Sequence, residues 1–365
     1  MFDRRLVSNF DWVLLLTVLA LAGIGIVNLY STTANWNPVS TPLYLKQLLW
    51  LSGGVLIALM ICLFDYRHLD HFATHIYVVS VAMLVYVLIL GKTSMGATRW
   101  INLGFFNLQP GEVIKVAIVL LLARIFSKTV SPFGFGLLEL WKPALWVLLP
   151  VGLILKEPDL GTAAMVVFIA ATMLLFAGLK KGTLIVLGLI GVVTAVAGWF
   201  GLHDYQRARI RTFMNPEADP LGTGYHIIQS KIAVGSGGFW GKGYIQGSQS
   251  QLSFLPERHT DFAFSVFAEE WGFAGCFGLL FLYLFLIVWG LYVARRAADR
   301  FGLFLAVGVT AMIFWHIIVN LGMVIGLLPV VGVPLPLFSY GGTSMVTTMI
   351  GVGLLMNVSM RRFMF

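Results

Sequence analysis

The chain has 365 residues, of which 59% are hydrophobic and only 11% charged, at a mean hydropathy of +0.89. Soluble domains carry about a quarter charged residues, so a water-soluble globular fold is excluded and an all-α polytopic membrane protein is expected. The formal net charge of +8 comes without a Lys/Arg-rich run or an aromatic–basic motif, which argues against nucleic acid as a partner and for anionic lipid.

Apolar tracts long enough to cross a bilayer recur from end to end. Leu6 to Leu29 follows Arg4 and Arg5 as a signal peptide would, but the tract is long and lacks a small-residue cleavage site, so it is expected to stay as the first span. Spans are expected at about 11–31, 45–64, 74–90, 112–127, 143–155, 160–177, 183–202, 262–293, 303–325 and 344–360. That makes about ten transmembrane helices in a single membrane domain over residues 1–365, with one long loop at about 203–261. Ten spans put both termini on one face. Arg4, Arg5, Arg67, Lys128, Lys142, Lys180, Lys181, Arg295, Arg296, Arg300, Arg361 and Arg362 fall on that face, which the positive-inside rule assigns to the cytoplasm; the long loop then lies outside. Cys62 and Cys276 sit in apolar tracts with no His or Cys at metal-ligand spacing, so neither a disulfide framework nor a zinc site is expected.

Charges that interrupt this pattern are the functional candidates. In the fourth span Pro110 starts the helix, and Glu112 and Lys115 project from one face at membrane depth, either as a structural pair or as the lining of a polar cavity. The Glu157-Pro158-Asp159 turn places two acids near the start of the sixth span, where Asp159 serves either as a helix cap or as a substrate contact. In the long loop Arg207 and Arg211 are four apart and face one way if that piece is helical, suiting phosphate oxygens or lipid headgroups. Ile227, Ile228, Ile232, Ala233 and Val234 predict a short amphipathic helix there.

At the loop's end Pro256 blocks a preceding helix and Thr260 is a good N-cap, so Asp261 is expected in the first turn of the eighth span. Ser265, Ala268 and Gly272 share its face, leaving room for a substrate cavity or for close helix packing. His259 is either a proton relay or metal ligand, or an ordinary hydrogen-bonding residue. Further on, Pro329, Pro334, Pro336, Gly341 and Gly342 forbid regular helix over 327–344, and Ser339 and Tyr340 are candidate donors to an anionic headgroup.

Gln109-Pro110-Gly111-Glu112 with Lys115, Pro158-Asp159-Leu160-Gly161-Thr162, Gly235-Ser236-Gly237-Gly238, Leu255-Pro256-Glu257 with His259-Thr260-Asp261-Phe262, and Phe338-Ser339-Tyr340-Gly341-Gly342-Thr343-Ser344 together resemble the SEDS (shape, elongation, division and sporulation) family nearly end to end. Gly111 departs from the family's serine. Short termini and the run from Glu257 to Gly272 are more similar to the elongation branch than to the division branch.

The resemblance implies a peptidoglycan glycosyltransferase of the bacterial cytoplasmic membrane that polymerises lipid II on the outer face. It implies a class B penicillin-binding protein and other elongation-complex membrane proteins as partners. In that reaction Asp261 fits a general base, while Arg258 and the loop arginines, or a divalent cation such as Mg or Mn held by Asp261, fit the stabiliser of the departing pyrophosphate. A flippase for lipid-linked precursor, a division-type polymerase and a non-enzymatic scaffold are the alternatives.

Overall fold

The computed structural model describes residues 8–34, 41–94, 97–102, 104, 107–129, 131, 134–202, 204–218, 222–251, 254–255 and 257–362. They divide into two compact units interleaved along the chain: Met1–Cys62, Arg209–Gly290 and Ile313–Met356 in one, Leu63–Ala208, Leu291–Met312 and Asn357–Phe365 in the other. Helices stand at all ten predicted tracts. Eight of them are long and apolar enough to cross a membrane. The two exceptions among the ten expected spans have simple causes: Pro110–Lys128 carries Glu112, Lys115, Arg124 and Lys128, and Trp141–Lys156 is only 16 residues long.

The first unit is built on α1 (Trp12–Thr33) and α2 (Leu43–Leu63), to which the long loop and the later spans are added. Asp11 caps α1, accepting from the Leu14 amide at 3.0 Å, and its carboxylate also accepts from Trp289 Nε1 at 3.0 Å. Small residues let the backbones close up without hydrophobic help from water. A Cβ on Gly25 would lie 2.6 Å from the Phe338 Cα, and one on Gly54 would meet the Met349 side chain at 2.7 Å.

The helix α10 (Ala263–Arg295), which lies in this unit as far as Gly290, is broken at Gly272, whose φ of 61° and ψ of −161° leave the helical region. The break deprives Glu269 and Glu270 of their usual partners four residues on, Phe273 and Ala274. The glycine-rich loop fills the gap. Lys242 and Gly243 donate their amides to the Glu269 and Glu270 carbonyls at 3.0 and 3.1 Å, and the Gly238 and Phe239 carbonyls accept from Phe273 and Ala274 at 2.9 and 3.0 Å. Gly237, Gly241 and Gly272 permit this splice, because a Cβ on any of them would strike backbone closer than 2.5 Å.

The second unit contains α3 (Arg67–Leu90), a three-stranded antiparallel sheet of β1 (Lys92–Ser94), β2 (Ala97–Asn102) and β3 (Asn107–Leu108), then α4 (Pro110–Lys128), α5 (Trp141–Lys156), α6 (Leu160–Ala177) and α7 (Lys181–Gly201). The small sheet is an addition to the all-α expectation, confined to the segment between α3 and α4. Helix α4 is buried over nearly its whole length, and Gly308 lets its own helix, Arg300–Val324, approach α4 at Val119 and α6 at Met173. At the other extreme α7 exposes Leu184, Ile185, Leu189 and Val192, a surface suited to lipid. The long loop is ordered by two helices, α8 (Asp204–Met214) and α9 (Thr223–Ser236), the latter where an amphipathic helix is expected.

Candidate active site

Asp261 lies in a turn, Glu257–Phe262, just before α10. This corrects the first-turn assignment: the Thr260 hydroxyl is spent on Glu257 Oε2 at 2.9 Å and does not cap the helix, which begins only at Ala263. The turn is closed by the amides of Thr260 and Phe262 donating to the Glu257 carbonyl, while Asn28 holds the Ala263 carbonyl at 3.0 Å. The small face behind Asp261 is used for packing and not for a cavity. Ser265 is fully buried and bonded to the Ser230 hydroxyl at 2.8 Å, and Gly237 packs against the Ala268 carbonyl.

Around the carboxylate stand elements far apart in sequence. The non-helical segment 327–341 passes beside it at Gly332, where a Cβ would sit 3.6 Å from Asp261 Oδ2 and where φ is +74°. Glycine keeps that approach open. Asn320 donates to the main-chain oxygens of Asp261 and Val333 at 3.0 and 2.8 Å, joining the turn to the segment. Arg209 of α8 reaches the same segment, donating to the Val330 carbonyl at 3.1 Å. Burial pushes the Asp261 carboxyl up to about 6, the Glu257 carboxylate adds to the rise, and Arg209 opposes it. An acid so poised changes protonation near neutral pH, the property a general base needs. Burial holds His259 below its usual value.

The other first-unit candidates are distributed as follows. Arg258 is in the same turn as Asp261, partly buried. Tyr340 donates its amide to the His259 carbonyl at 2.9 Å and its ring lies 6.2 Å from the imidazole, so it belongs to the Asp261 surroundings. Ser339 is committed internally: its hydroxyl accepts from the Leu335 amide at 3.1 Å and its carbonyl from Gln47 at 3.0 Å. Arg211 is exposed on α8.

Arg207 belongs to the second unit. Its guanidinium donates to the Trp199 and Phe200 carbonyls at 3.2 and 2.8 Å, capping the end of α7. In the same unit Lys115 Nζ donates to Glu112 Oε1 at 2.6 Å, both side chains buried in the first turns of α4. Asp159 is the cap of α6, accepting from the Thr162 amide and hydroxyl at 3.1 and 2.9 Å, and it also pairs with Arg99 at 3.5 Å. Glu157 beside it is buried with one oxygen unpartnered; desolvation first, then Asp159, pushes its carboxyl up to about 8 against the pull of Arg99.

Asn320 and Arg99 are residues that the sequence reading did not name, while Glu257 entered only within the family motif and Arg209 only among the loop arginines. Asn320 carried a signal, a lone amide in an apolar span. Glu269 also belongs here: wholly buried in α10, it accepts from Lys242 Nζ at 2.7 Å and the Ser248 hydroxyl at 3.0 Å. Among the described residues no three His, Cys, Asp or Glu converge as a metal-ligand set.

Spanning helices and a carboxylate poised in a turn at the mouth of one of them define a multi-pass membrane protein with a charged site at a helix end. The chain belongs to the FTSW_RODA_SPOVE family, described as cell cycle proteins, whose profile matches residues 11–363. It is 39% identical to the peptidoglycan glycosyltransferase MrdB of Escherichia coli (strain K12) over 98% of this chain and 95% of that protein. A chain from a solved peptidoglycan synthase complex that coordinates polymerization and crosslinking is 36% identical, with a TM-score of 0.83 over 98% of this chain and 99% of that one. The crystal structure of the rod shape determining protein RodA from Thermus thermophilus is 31% identical, with a TM-score of 0.72 over 98% of each chain.

Proposed function

We propose that this chain polymerises lipid II, with Asp261 as the base that activates the acceptor hydroxyl. It is a peptidoglycan glycosyltransferase: relatives covering nearly its full length carry that name. The 4-hydroxyl of the acceptor N-acetylglucosamine attacks the anomeric carbon of a lipid-linked N-acetylmuramic acid, its proton passes to Asp261, and undecaprenyl pyrophosphate departs as an anion. Because that leaving group needs no proton, one base suffices, with cationic stabilisation from Arg258. The observation that carries the reading is the Asp261 carboxylate, raised to about 6 and facing the open backbone of Gly332.

Asp261 and Glu257 are the two carboxylates of this turn, an incomplete cation set that substrate phosphate oxygens and water complete in many magnesium sites. A bound Mg or Mn would neutralise charge on the pyrophosphate. Further substrate contacts are proposed at Arg211 and Tyr340 of the first unit and, separately, at Glu112, Lys115 and Asp159 of the second. A class B penicillin-binding protein is the proposed partner, supported by the synthase complex to which this fold is similar. Both termini are placed in the cytoplasm and the Asp261 turn outside, on the strength of the basic span ends. Cysteines at the exposed positions Gln246 and Ala298 test that orientation: only the former should react with impermeant maleimide in intact cells.

The decisive experiment is purified Asp261→Asn with lipid II in detergent. Asparagine keeps the size but cannot take the proton, so glycan polymer should fall about a hundredfold or more while lipid II binding stays near wild type and the melting temperature does not drop. Near-normal polymer from this variant would falsify the assignment.

A further inference from the structure

We infer that Phe239 and Trp240 form an aromatic wedge in the outer leaflet that sets the height of Asp261 above the acyl chains, an inference that rests on the proposed orientation and function. Trp240 is 80% exposed and Phe239 57% exposed, although the loop carrying them is held to α10 by four backbone hydrogen bonds. Water is a poor surrounding for such rings. The loop is spliced into the backbone ladder of α10 at Gly272, inside a spanning helix, so its rings stand beside a membrane segment whichever way the chain is turned.

Ring continuity joins them to the exposed surface of a span. Phe239 packs on Trp240 at 4.9 Å and on Phe273 at 5.8 Å, and Phe273 packs on Phe277 at 6.3 Å. Phe273, Phe277, Phe281 and Leu284 then descend one face of α10 at helical spacing, each about 60% exposed. This exposed apolar stripe runs down a helix long and apolar enough to cross a membrane, a surface suited to lipid, and the wedge prolongs it at the level where the helix breaks. Aromatic rings at that level fit the boundary between headgroups and acyl chains.

The wedge is rigidly tied to Asp261. Four backbone hydrogen bonds and the Lys242–Glu269 pair at 2.7 Å lock the loop to α10. From the splice the helix rises through Ala263–Trp271, roughly 13 Å at about 1.5 Å per residue. A ring fixed in the leaflet thereby holds the carboxylate at a set distance outward, toward the headgroup of a lipid-linked sugar.

The test is a nitroxide at Trp240→Cys, with Cys62 and Cys276 replaced by alanine, in nanodiscs of phosphatidylcholine and phosphatidylglycerol. Collision with oxygen should exceed collision with a water-soluble nickel chelate, as at acyl-chain depth. A site open to the nickel chelate, or closed to both reagents by protein contact, overturns the wedge. This readout needs no catalysis, so it stands apart from the fate of the Asp261 assignment. A Phe239→Ser/Trp240→Ser variant supplies the second arm: lipid II polymerisation should drop about fivefold or more in nanodiscs and hold in detergent, where no leaflet sets the height. Equal losses in both media overturn the height-setting role.

Discussion

Asn320 holds Asp261 from behind, its amide 3.0 Å from the aspartate's main-chain oxygen. The same amide takes the Val333 carbonyl at 2.8 Å, so one buried side chain joins the turn that carries the carboxylate to the proline-rich segment facing it. Replacing Asn320 with leucine strands two carbonyls, at about 1–3 kcal/mol each. The expected result is a lower melting temperature and a kcat reduced about tenfold, with KM for lipid II changed little. An unchanged kcat in a folded Asn320→Leu protein would show that the clamp does not position Asp261.

The rate of polymerisation should rise with pH and level off above about 6, where Asp261 is deprotonated and able to accept a proton. Glu257 raises that carboxyl and Arg209 lowers it, so the two neighbours have opposite effects. Glu257→Gln should move the midpoint to lower pH and Arg209→Gln to higher pH, read from pH–rate profiles. Midpoints that move together, or not at all, contradict the assignment. Stability gives an independent reading. Because folding raises the group from 3.8 to about 6, its contribution to stability is complete below about pH 4 and lost as pH rises through about 6. Asp261→Asn should therefore melt higher, relative to wild type, at pH 8 than at pH 5.

The buried Glu112–Lys115 pair separates stability from substrate binding. Breaking it with Glu112→Gln or Lys115→Met alone leaves an uncompensated charge, at about 3–5 kcal/mol. The double variant should recover most of that loss in thermal melts. Its polymerase activity should nevertheless stay at least about tenfold down, since no charge remains to meet the donor. Recovery of both properties would make the pair purely structural.

Glu157 is raised from 4.5 to about 8, mainly by burial, so its stabilising contribution is complete below about pH 4.5 and disappears as pH climbs through about 8. Glu157→Gln mimics the neutral acid. Its melting temperature should match wild type near pH 5 and exceed it increasingly up to about pH 8; a constant difference across that range would mean that Glu157 does not titrate with folding.

Spans were legible because a bilayer demands long apolar tracts, and composition alone supplied those at 160–177 and 344–360 to within a few residues. The Asp159 cap was legible too, since a carboxylate three residues before its target amide is a local device. The start of α10 was not. Thr260 has the chemistry of a cap, but Glu257 captures its hydroxyl and Asn28, distant in sequence, fixes where the helix begins. Glycines carried the same ambiguity: their number announced close approach or turns, and only the fold revealed that Gly237, Gly241 and Gly272 serve a single splice.

By itself, then, the sequence determined the membrane class, the helical tracts and Asp261 as the principal candidate, because each follows from local hydrophobicity, charge and spacing. Tertiary structure alone decided that Arg209, Asn320 and Gly332 surround that carboxylate, and that Arg207 and Ser339 are engaged by backbone carbonyls and amides. The pKa of a carboxyl depends on burial and on nearby charges; Glu257 lies in the same turn, but the burial and the opposing charge of Arg209, some fifty residues earlier, are set by distances that no local pattern in the chain encodes.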